Sequence, residues 1–421
     1  MIPQPTDAKI TRLDVDGYNI LGQVKKIEVY EDVCKQFKTA KITVVDNNNA
    51  LINLIQPPAK CSFSFTNLLS TSATDVYSDN MKIIGVHKEG YSKSLRAMIY
   101  TISLHGDEYF ADKANIVQQA FKNKTATDAI KIIHGQFFGT NLSIKVPSIG
   151  MIAQETSHII SSLNPHTAIH KIKNLASYAQ YKTGSSLYFR DAIGHVIAPL
   201  EHLFDTLAPQ QVFSQRATWG SHWGHVLGNG TYHAIIEAVA DVDANKAASS
   251  RSTQDISGSA KQGNIIFDMK TKSYVLQKIL GQVVQPGKLS GSIDSIINSI
   301  SSLSKPGNIG GRPNFQVWDT NQMAKAILPS LQADKERLYQ AAARNGPSYK
   351  IEVPVQSGLS CTVGKGVSVK LLPPSGDLGG PLRNSVPDLM MVTELVHIIH
   401  NDDAGCKGTT TMRVITGGYA A

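Results

Sequence analysis

Leu389-Met390-Met391-Val392-Thr393-Glu394-Leu395-Val396-His397-Ile398-Ile399 and Thr410-Thr411-Met412-Arg413-Val414-Ile415 are β-rich runs on either side of a polar turn, Asn401-Asp402-Asp403-Ala404-Gly405. The pattern predicts a long antiparallel hairpin. Two upstream segments extend it. In Gly366-Val367-Ser368-Val369-Lys370-Leu371 the alternation puts Val367, Val369 and Leu371 on one face; Pro373-Pro374 then ends the ladder, because proline has no donor. Tyr349-Lys350-Ile351-Glu352-Val353-Pro354-Val355 alternates in the same way, with Ile351, Val353 and Val355 inward, before a turn at Ser357-Gly358. The four segments predict a four-stranded antiparallel unit.

The first hundred residues carry the same signature. Lys9–Val15, Val24–Tyr30, Thr39–Val45, Cys61–Asn67, Asn80–His87 and Arg96–Leu104 are short runs that alternate or are rich in β-branched residues. Such spacing favours a barrel or sandwich over parallel βαβ units. One short helix is expected to interrupt them, where capping residues from Asp46 to Asn49 precede Leu51-Ile52-Asn53-Leu54-Ile55 and Pro57 stops the run.

The middle of the chain changes to helical spacing. Thr125 offers an N-cap and Asp128 an acidic first turn to a stripe of Ala129, Ile130, Ile132, Ile133 and Phe137, ended by Gly135 or Gly139. A second helix starts after Pro165, with Ala168, Ile169, Ile172, Leu175, Ala176 and Ala179 on one stripe and Gly184 as its stop. Ser186–Arg190 and His195–Pro199 flank Asp191-Ala192-Ile193-Gly194 and predict a hairpin. Tyr232–Val239 reads as a strand returning to the first barrel, 243–263 as an exposed loop and Asn264–Met269 as a strand. Helices are expected over Ser273–Gln282, Ile293–Leu303 and Asn321–Asn345, the last kinked by Pro329.

At 421 residues the chain can hold two or three cored domains. Its 42% hydrophobic and 18% charged content sets aside fibrous and disordered classes. No apolar run approaches the roughly 20 residues of a membrane helix, so no membrane segment is expected. Met1–Asp7 lacks the basic region and apolar core of a secretory signal, and folding in a cytoplasm is expected. Cys34, Cys61, Cys361 and Cys406 form no C-x-x-C pair, so free, partly buried thiols are expected. The net charge of +8 is spread without long basic runs, which speaks against a dedicated nucleic-acid groove.

For chemistry, the best constellation is His222-Trp223-Gly224-His225 with His233, which with Asp241 or Asp243 has ligand types suited to zinc. Gly224, Gly228 and Gly230 argue against a helix that would align them, and H-E-x-x-H is absent. Gly364-Lys365-Gly366 lacks phosphate-loop spacing, and no nucleophile elbow occurs. Turn solvation explains Asp402-Asp403. No catalytic, cofactor-binding or metal-ligating residue is assigned, and no cofactor is called for.

The order of the C-terminal segments is an extended strand, a G-x-x-V-x-V strand followed by prolines, then a long strand, a His-containing turn and a Thr-rich return strand. It resembles the second barrel of phage baseplate hub proteins, a family that includes the T-even hub and the hub-like part of type VI secretion spikes. The strand, Asp, short helix, strand order around Asp46 resembles that family's first barrel, itself similar to the tube protein of contractile tails. N-L-A-x-Y-A at Asn174–Ala179 and S-S-L-Y-F-R-D-x-x-G at Ser185–Gly194 resemble the helix and hairpin set between the barrels. There Leu175, Ala176, Tyr178, Tyr188, Phe189, Asp191 and Gly194 would pack rather than react.

The resemblance implies a mainly β protein with an α+β insertion: two tail-tube-like β-barrels plus a small helix-hairpin domain. Residues 1–110 would form the first barrel, 111–205 the α+β insertion, 206–242 a return segment to the barrel core, 243–348 a loop- and helix-rich insertion and 349–421 the second barrel. It implies a homotrimeric ring of six barrels joining the tail tube ring to a central spike, with tape measure and baseplate wedge proteins as further neighbours and DNA in transient passage. Type VI members continue into an OB-fold and β-helix; this sequence ends at Ala421, so the spike is expected to be a separate polypeptide. The expected place is the distal tail of a virion, assembled in a host cytoplasm. Two readings from other classes stay open. A metal-dependent hydrolase of envelope polymers using His222, His225 and His233 requires stoichiometric zinc and activity lost in His222→Ala; a basic nucleic-acid-binding module requires DNA affinity that falls steeply with salt.

Overall fold

Alternating runs at the start of the chain become β1 (Ala8–Val15), β2 (Tyr18–Asn19), β3 (Val24–Asp32), β4 (Thr39–Asp46), β5 (Lys60–Asn67), β6 (Val76–Ser92) and β7 (Ala97–Gly106). They are followed by α1 (Asp107–Ala114), β8 (Val117–Lys124), α2 (Ala126–Phe137), β9 (Leu142–Ile144), β10 (Thr156–Leu163), α3 (Pro165–Lys173), β11 (Ser186–Arg190), β12 (His195–Pro199) and α4 (Leu200–Asp205). The rest is β13 (Pro209–Gln215), β14 (Val226–Leu227), β15 (Thr231–Ala238), β16 (Gly263–Asp268), β17 (Ser273–Lys278), β18 (Asn314–Trp318), β19 (Ser348–Pro354), α5 (Val355–Gly358), β20 (Gly366–Lys370), β21 (Leu389–Asp402) and β22 (Gly405–Ile415). The structure is a computed structural model describing residues 4–47, 50–69, 75–92, 97–139, 142–144, 156–173, 186–215, 226–227, 231–238, 263–268, 273–278, 314–318, 348–370, 389–402 and 405–415.

Fourteen strands form one hydrogen-bonded sheet in the order β2-β1-β5-β6-β7-β4-β3-β21-β20-β13-β15-β19-β22, with β14 beside β15 and a further pairing of β21 with β22. In hydrogen-bonding terms the two barrels expected from the sequence are therefore one sheet. The cause is the length of β21. Its Leu389–Met391 end pairs with β20, while Glu394–His400 pairs with Asp32–Lys26 of β3. β22 runs antiparallel along β21, pairs with β19 on its other side, and is bridged at Lys407 to Asp7. The C-terminal hairpin thus belongs to both halves of the sheet.

Alternation along these strands fills two cores. Leu13, Ile27, Ile42, Phe63, Phe65, Ile83 and Ile102 belong to the first, which also takes Ile399 and Val355 from the C-terminal part. Phe213, Ile351, Val353, Val367, Val369, Leu395, Met412 and Val414 belong to the second. A third core lies in the α+β module, where α2 and α3 pack with β8, β10 and the β11–β12 hairpin around Ile130, Ile133, Ile169 and Ile172. Thr125 caps α2 by accepting from Asp128 N at 3.1 Å, and Gly139, at φ 62°, follows its end.

Some expectations are corrected. After Asp46 there is a single turn instead of a helix: the Asp46 carboxylate accepts from Ala50 N and Leu51 N, Leu51 and Ile55 are buried in the first core, and Ile52 and Leu54 pack against it half-buried. The Tyr232–Val239 strand, β15, does not return to the first strands; it pairs with β13 and β19 in the second half. Ser273–Lys278 is a strand, not a helix, because Tyr274-Val275-Leu276 finds a ladder partner in β16, which β18 also joins. Ser357-Gly358 ends one helical turn, α5. The expected helices at Ile293–Leu303 and Asn321–Asn345, and the motif residues Leu175, Ala176 and Tyr178, lie outside the described residues. None of the four cysteines forms a disulfide; burial pushes the thiols of Cys61 and Cys361 up to about 12. No helix among the described residues is long and apolar enough to cross a membrane.

Two glycines let α5 lie against the shared hairpin. A Cβ at Gly358 would run into the Thr410 side chain, and one at Gly408 would stand 2.7 Å from Ile399 Cδ1 and 2.9 Å from Val355 Cβ. Gly358→Ala and Gly408→Ala should each lower the urea midpoint at unchanged slope, by about 1–3 kcal/mol. Gly85→Ala, where no atom lies within 4 Å, should stay near wild type.

Candidate functional site

The segment between β3 and β4, Val33-Cys34-Lys35-Gln36-Phe37-Lys38, puts Val33 in the second core, Phe37 against the third, and Lys38 beside Tyr77, which packs against the first. Asp32 starts it by accepting from Cys34 N at 2.8 Å, a local turn that short acidic side chains favour. Val33 N donates to Thr393 O of β21 at 3.0 Å, and the Val33 side chain is buried in the second core. Lys38 then meets Glu31 and Tyr77 of the first half of the sheet, and Phe37 meets Tyr109, Phe138 and His166 of the α+β module.

Lys38 is buried at 7% exposure, a costly place for an ammonium unless it is paired. Its Nζ lies 2.8 Å from Glu31 Oε1, 3.8 Å from Asp79 Oδ2 and 5.3 Å from the centroid of the Tyr77 ring. Tyr77 stacks on Phe65 at 5.0 Å and meets the His397 ring at 5.4 Å. Burial and the two nearby carboxylates hold the Tyr77 hydroxyl well above its ordinary range. His397 Nδ1 is 2.9 Å from Thr410 Oγ1, so β21 and β22 are joined to the charge cluster through this ring. Burial, reinforced by the Lys38 charge, pushes His397 down to about 3.

Phe37 enters the module core edge-on to Tyr109 at 5.8 Å and His166 at 5.5 Å. The Gln36 carbonyl lies 3.1 Å from His195 Nε2; a carbonyl can only accept, so the proton is on Nε2. Tyr188 stacks on both His195, at 5.1 Å, and His166, at 5.6 Å, and its hydroxyl is 3.3 Å from His134 Nδ1. Burial, helped by neighbouring His134 and Arg190, pushes His195 down to about 3; burial with His170, Lys173 and Lys113 does the same to His166. At 0% and 9% exposure these imidazoles are neutral packing groups shut off from any substrate.

His222 and His225, like Asp241 and Asp243, lie outside the described residues, and His233 falls on β15 opposite Ser214. Among the described residues no group of three His, Cys, Asp or Glu is placed to hold a metal ion. The hairpin residues sit where a packing role would put them. Phe189 is buried over Gly364, whose Cβ it would block at 2.6 Å, and Asp191 Oδ1 closes its turn by accepting from Ile193 N and Gly194 N. The Lys38 cluster was not legible beforehand, because Glu31, Lys38, Asp79 and His397 come together only across four strands or loops. His134 had a weak signal: it lies beside Ile133 and four residues after Ile130 on an apolar helix stripe.

Lys38→Met leaves Glu31 buried, and Asp79 half-buried, without their cation and should cost about 3–5 kcal/mol in urea unfolding, with part regained in Lys38→Met/Glu31→Gln. The unfolded chain binds protons at His166, His195 and His397 more readily than the folded one. Stability is therefore full above about pH 6.5 and falls as pH drops towards 3, by about 1.4 kcal/mol per pH unit per group. Urea midpoints unchanged between pH 7.5 and pH 5 would contradict this.

No protein-family model and no curated protein matches the chain. Solved structures do. The tail protein from Neisseria meningitidis MC58 aligns over 98% of this chain and 97% of its own, at 12% identity and a TM-score of 0.54. The prophage MuSo2 43 kDa tail protein from Shewanella oneidensis aligns over 97% of this chain and 98% of its own, at 14% identity and a TM-score of 0.51. The chain shares one fold with these tail proteins from end to end.

Proposed function

We propose that this chain is the structural hub of a phage tail baseplate, a homotrimeric ring that joins the hexameric tail tube to a trimeric central spike. The two halves of the sheet act as two tube-like barrels. The second half follows the pairings β21-β20-β13-β15-β19-β22-β21, and the first follows β1-β5-β6-β7-β4-β3, with Asp7 bridged to Lys407 of the shared hairpin. That hairpin carries the reading, because it locks two similar units into one chain, and three such chains present six units to a sixfold tube. The full-length likeness to two tail proteins supports the same conclusion. The chain acts by assembly: it nucleates the tube, seats the spike and leaves a channel for DNA. It is built in a host cytoplasm and carried in the distal tail of the virion, next to tape measure and baseplate wedge proteins.

Light scattering with negative-stain imaging of the same fractions tests this. The expected result is a trimeric ring with an open centre, formed by the chain alone or on mixing with tube or spike protein. A monomer that stays compact with every tail component would overturn it.

A further inference from the structure

The helical layer of the α+β module, made of α1, β8, α2, β10 and α3, has a core of its own around Phe121, Ile130, Ile133, Ile160, Ile169 and Ile172. The β11–β12 hairpin belongs mainly to the sheet side. Its Leu187, Phe189, Val196 and Ala198 are buried in the second core, and only the alternate residues Tyr188 and Ile197 join the third. From the β3–β4 segment Phe37 packs against the same core. These three are the described groups of the third core that come from outside the layer.

Much of the remaining seam is imidazole. His134 of α2 and His166 of α3 meet His195 of β12 around the Tyr188 ring: His134 and His195 are 5.0 Å apart, and Tyr188 lies 5.1 Å from His195 and 5.6 Å from His166. Where α1 leaves β7, His105 lies 4.3 Å from Tyr109. His105 Nδ1 and His166 Nε2 are buried with no hydrogen-bond partner among the described residues, so a proton added there would be a buried charge without an acceptor. The charged groups around the rings do not favour one either. Glu108 is already 3.3 Å from Arg190, Asp112 accepts from His166 N at 2.7 Å and lies 3.9 Å from Lys113, and at the His105 end Lys82 is 3.2 Å from Asp107. His170, Lys173 and Lys113 oppose a charge on His166, as His134 and Arg190 do on His195. With two rings 5.0 Å apart, a first proton also opposes a second.

We propose that this seam is an acid-sensitive latch, which releases the helical layer as one unit ahead of the sheet. The inference stands apart from the hub reading. Above about pH 6.5 the rings are neutral whether the seam is closed or open, and the latch holds; below it, each ring that gains a proton on opening shifts the balance towards the open form by about tenfold per pH unit. A layer this small is marginal once detached, so release also loosens its own helices and strands. The sheet is less exposed to this effect, because its buried ring, His397, is bonded to Thr410 between β21 and β22 and does not lie at a boundary between cores. Acid thereby uncovers Phe37, Tyr188 and Ile197 while the first two cores stay closed.

Hydrogen exchange read by mass spectrometry on the full chain tests this, at pH 7.5 and pH 5 with labelling times scaled for the intrinsic pH dependence of exchange. Peptides from α1, β8, α2, β10 and α3 are expected to lose protection at pH 5 by about tenfold or more, while those from β3, β4, β21 and β22 keep theirs. Equal loss in layer and sheet, or an unchanged layer, would overturn the latch. A second arm uses His166→Phe/His195→Gln, which keeps a ring stacked on Tyr188 and a donor for the Gln36 carbonyl but removes two protonation sites. Its layer should regain most of the protection lost at pH 5, and a loss equal to wild type would count against the proposal. Should the double variant already be open at pH 7.5, His166→Phe alone is read in the same way: a smaller loss than wild type is expected, and an equal loss overturns the role given to the ring.

Discussion

The structure depends on one hairpin having to satisfy both halves of the large sheet at once. A strand of typical length would serve one of them; β21, at 14 residues, runs through both. Its inward residues divide accordingly. Met390, Met391, Val392 and Leu395 go to the second core, and Ile399 goes to the first. A slip of one residue would turn Leu395 and Ile399 outward together and so disturb both cores at once, which specifies register more strongly here than in either half alone. The close fit of α5 against Thr410, Ile399 and Val355 belongs to the same constraint, since it leaves the hairpin no room to slide.

The Lys38 cluster adds a polar constraint to this apolar one. A buried ion pair gives little net stability, because desolvation offsets most of the attraction, but removing one partner is costly. Its effect is therefore on which arrangement is allowed rather than on how stable it is. Lys38 can be buried only where Glu31 and Asp79 meet it, which holds β3, β6 and the β3–β4 segment in one relation. One residue earlier, Phe37 and the Gln36 carbonyl dock the α+β module. The helices and the sheet are thus coupled through three consecutive residues.

Much of the β architecture was legible because alternation is local. Lys9–Val15, Thr39–Val45 and Cys61–Asn67 needed only period two and β-branched or aromatic side chains to be read, and they appear as strands within a residue or so of those bounds. β13 was not legible: in Pro209-Gln210-Gln211-Val212-Phe213-Ser214, Phe213 is fully buried and its neighbours are not, and the strand exists because β15 and β20 flank it in parallel. The helix expected after Asp46 failed for a related reason. Its capping signal was real, since Asp46 accepts from Ala50 N and Leu51 N, but only one turn forms, Leu54 N and Ile55 N both donating to Leu51 O, with Leu51 and Ile55 in the first core.

By itself the sequence determined which runs are extended, which side of each run is apolar, and that no familiar catalytic motif is present; these follow from nearest neighbours and side-chain chemistry. The tertiary structure alone decided that the terminal hairpin is common to both halves, that β15 joins the second of them, and that Lys38 is buried. Each of these is a choice of partner between segments far apart in the chain. Such a choice rests on burial and register summed over many contacts, and no local window of residues contains it.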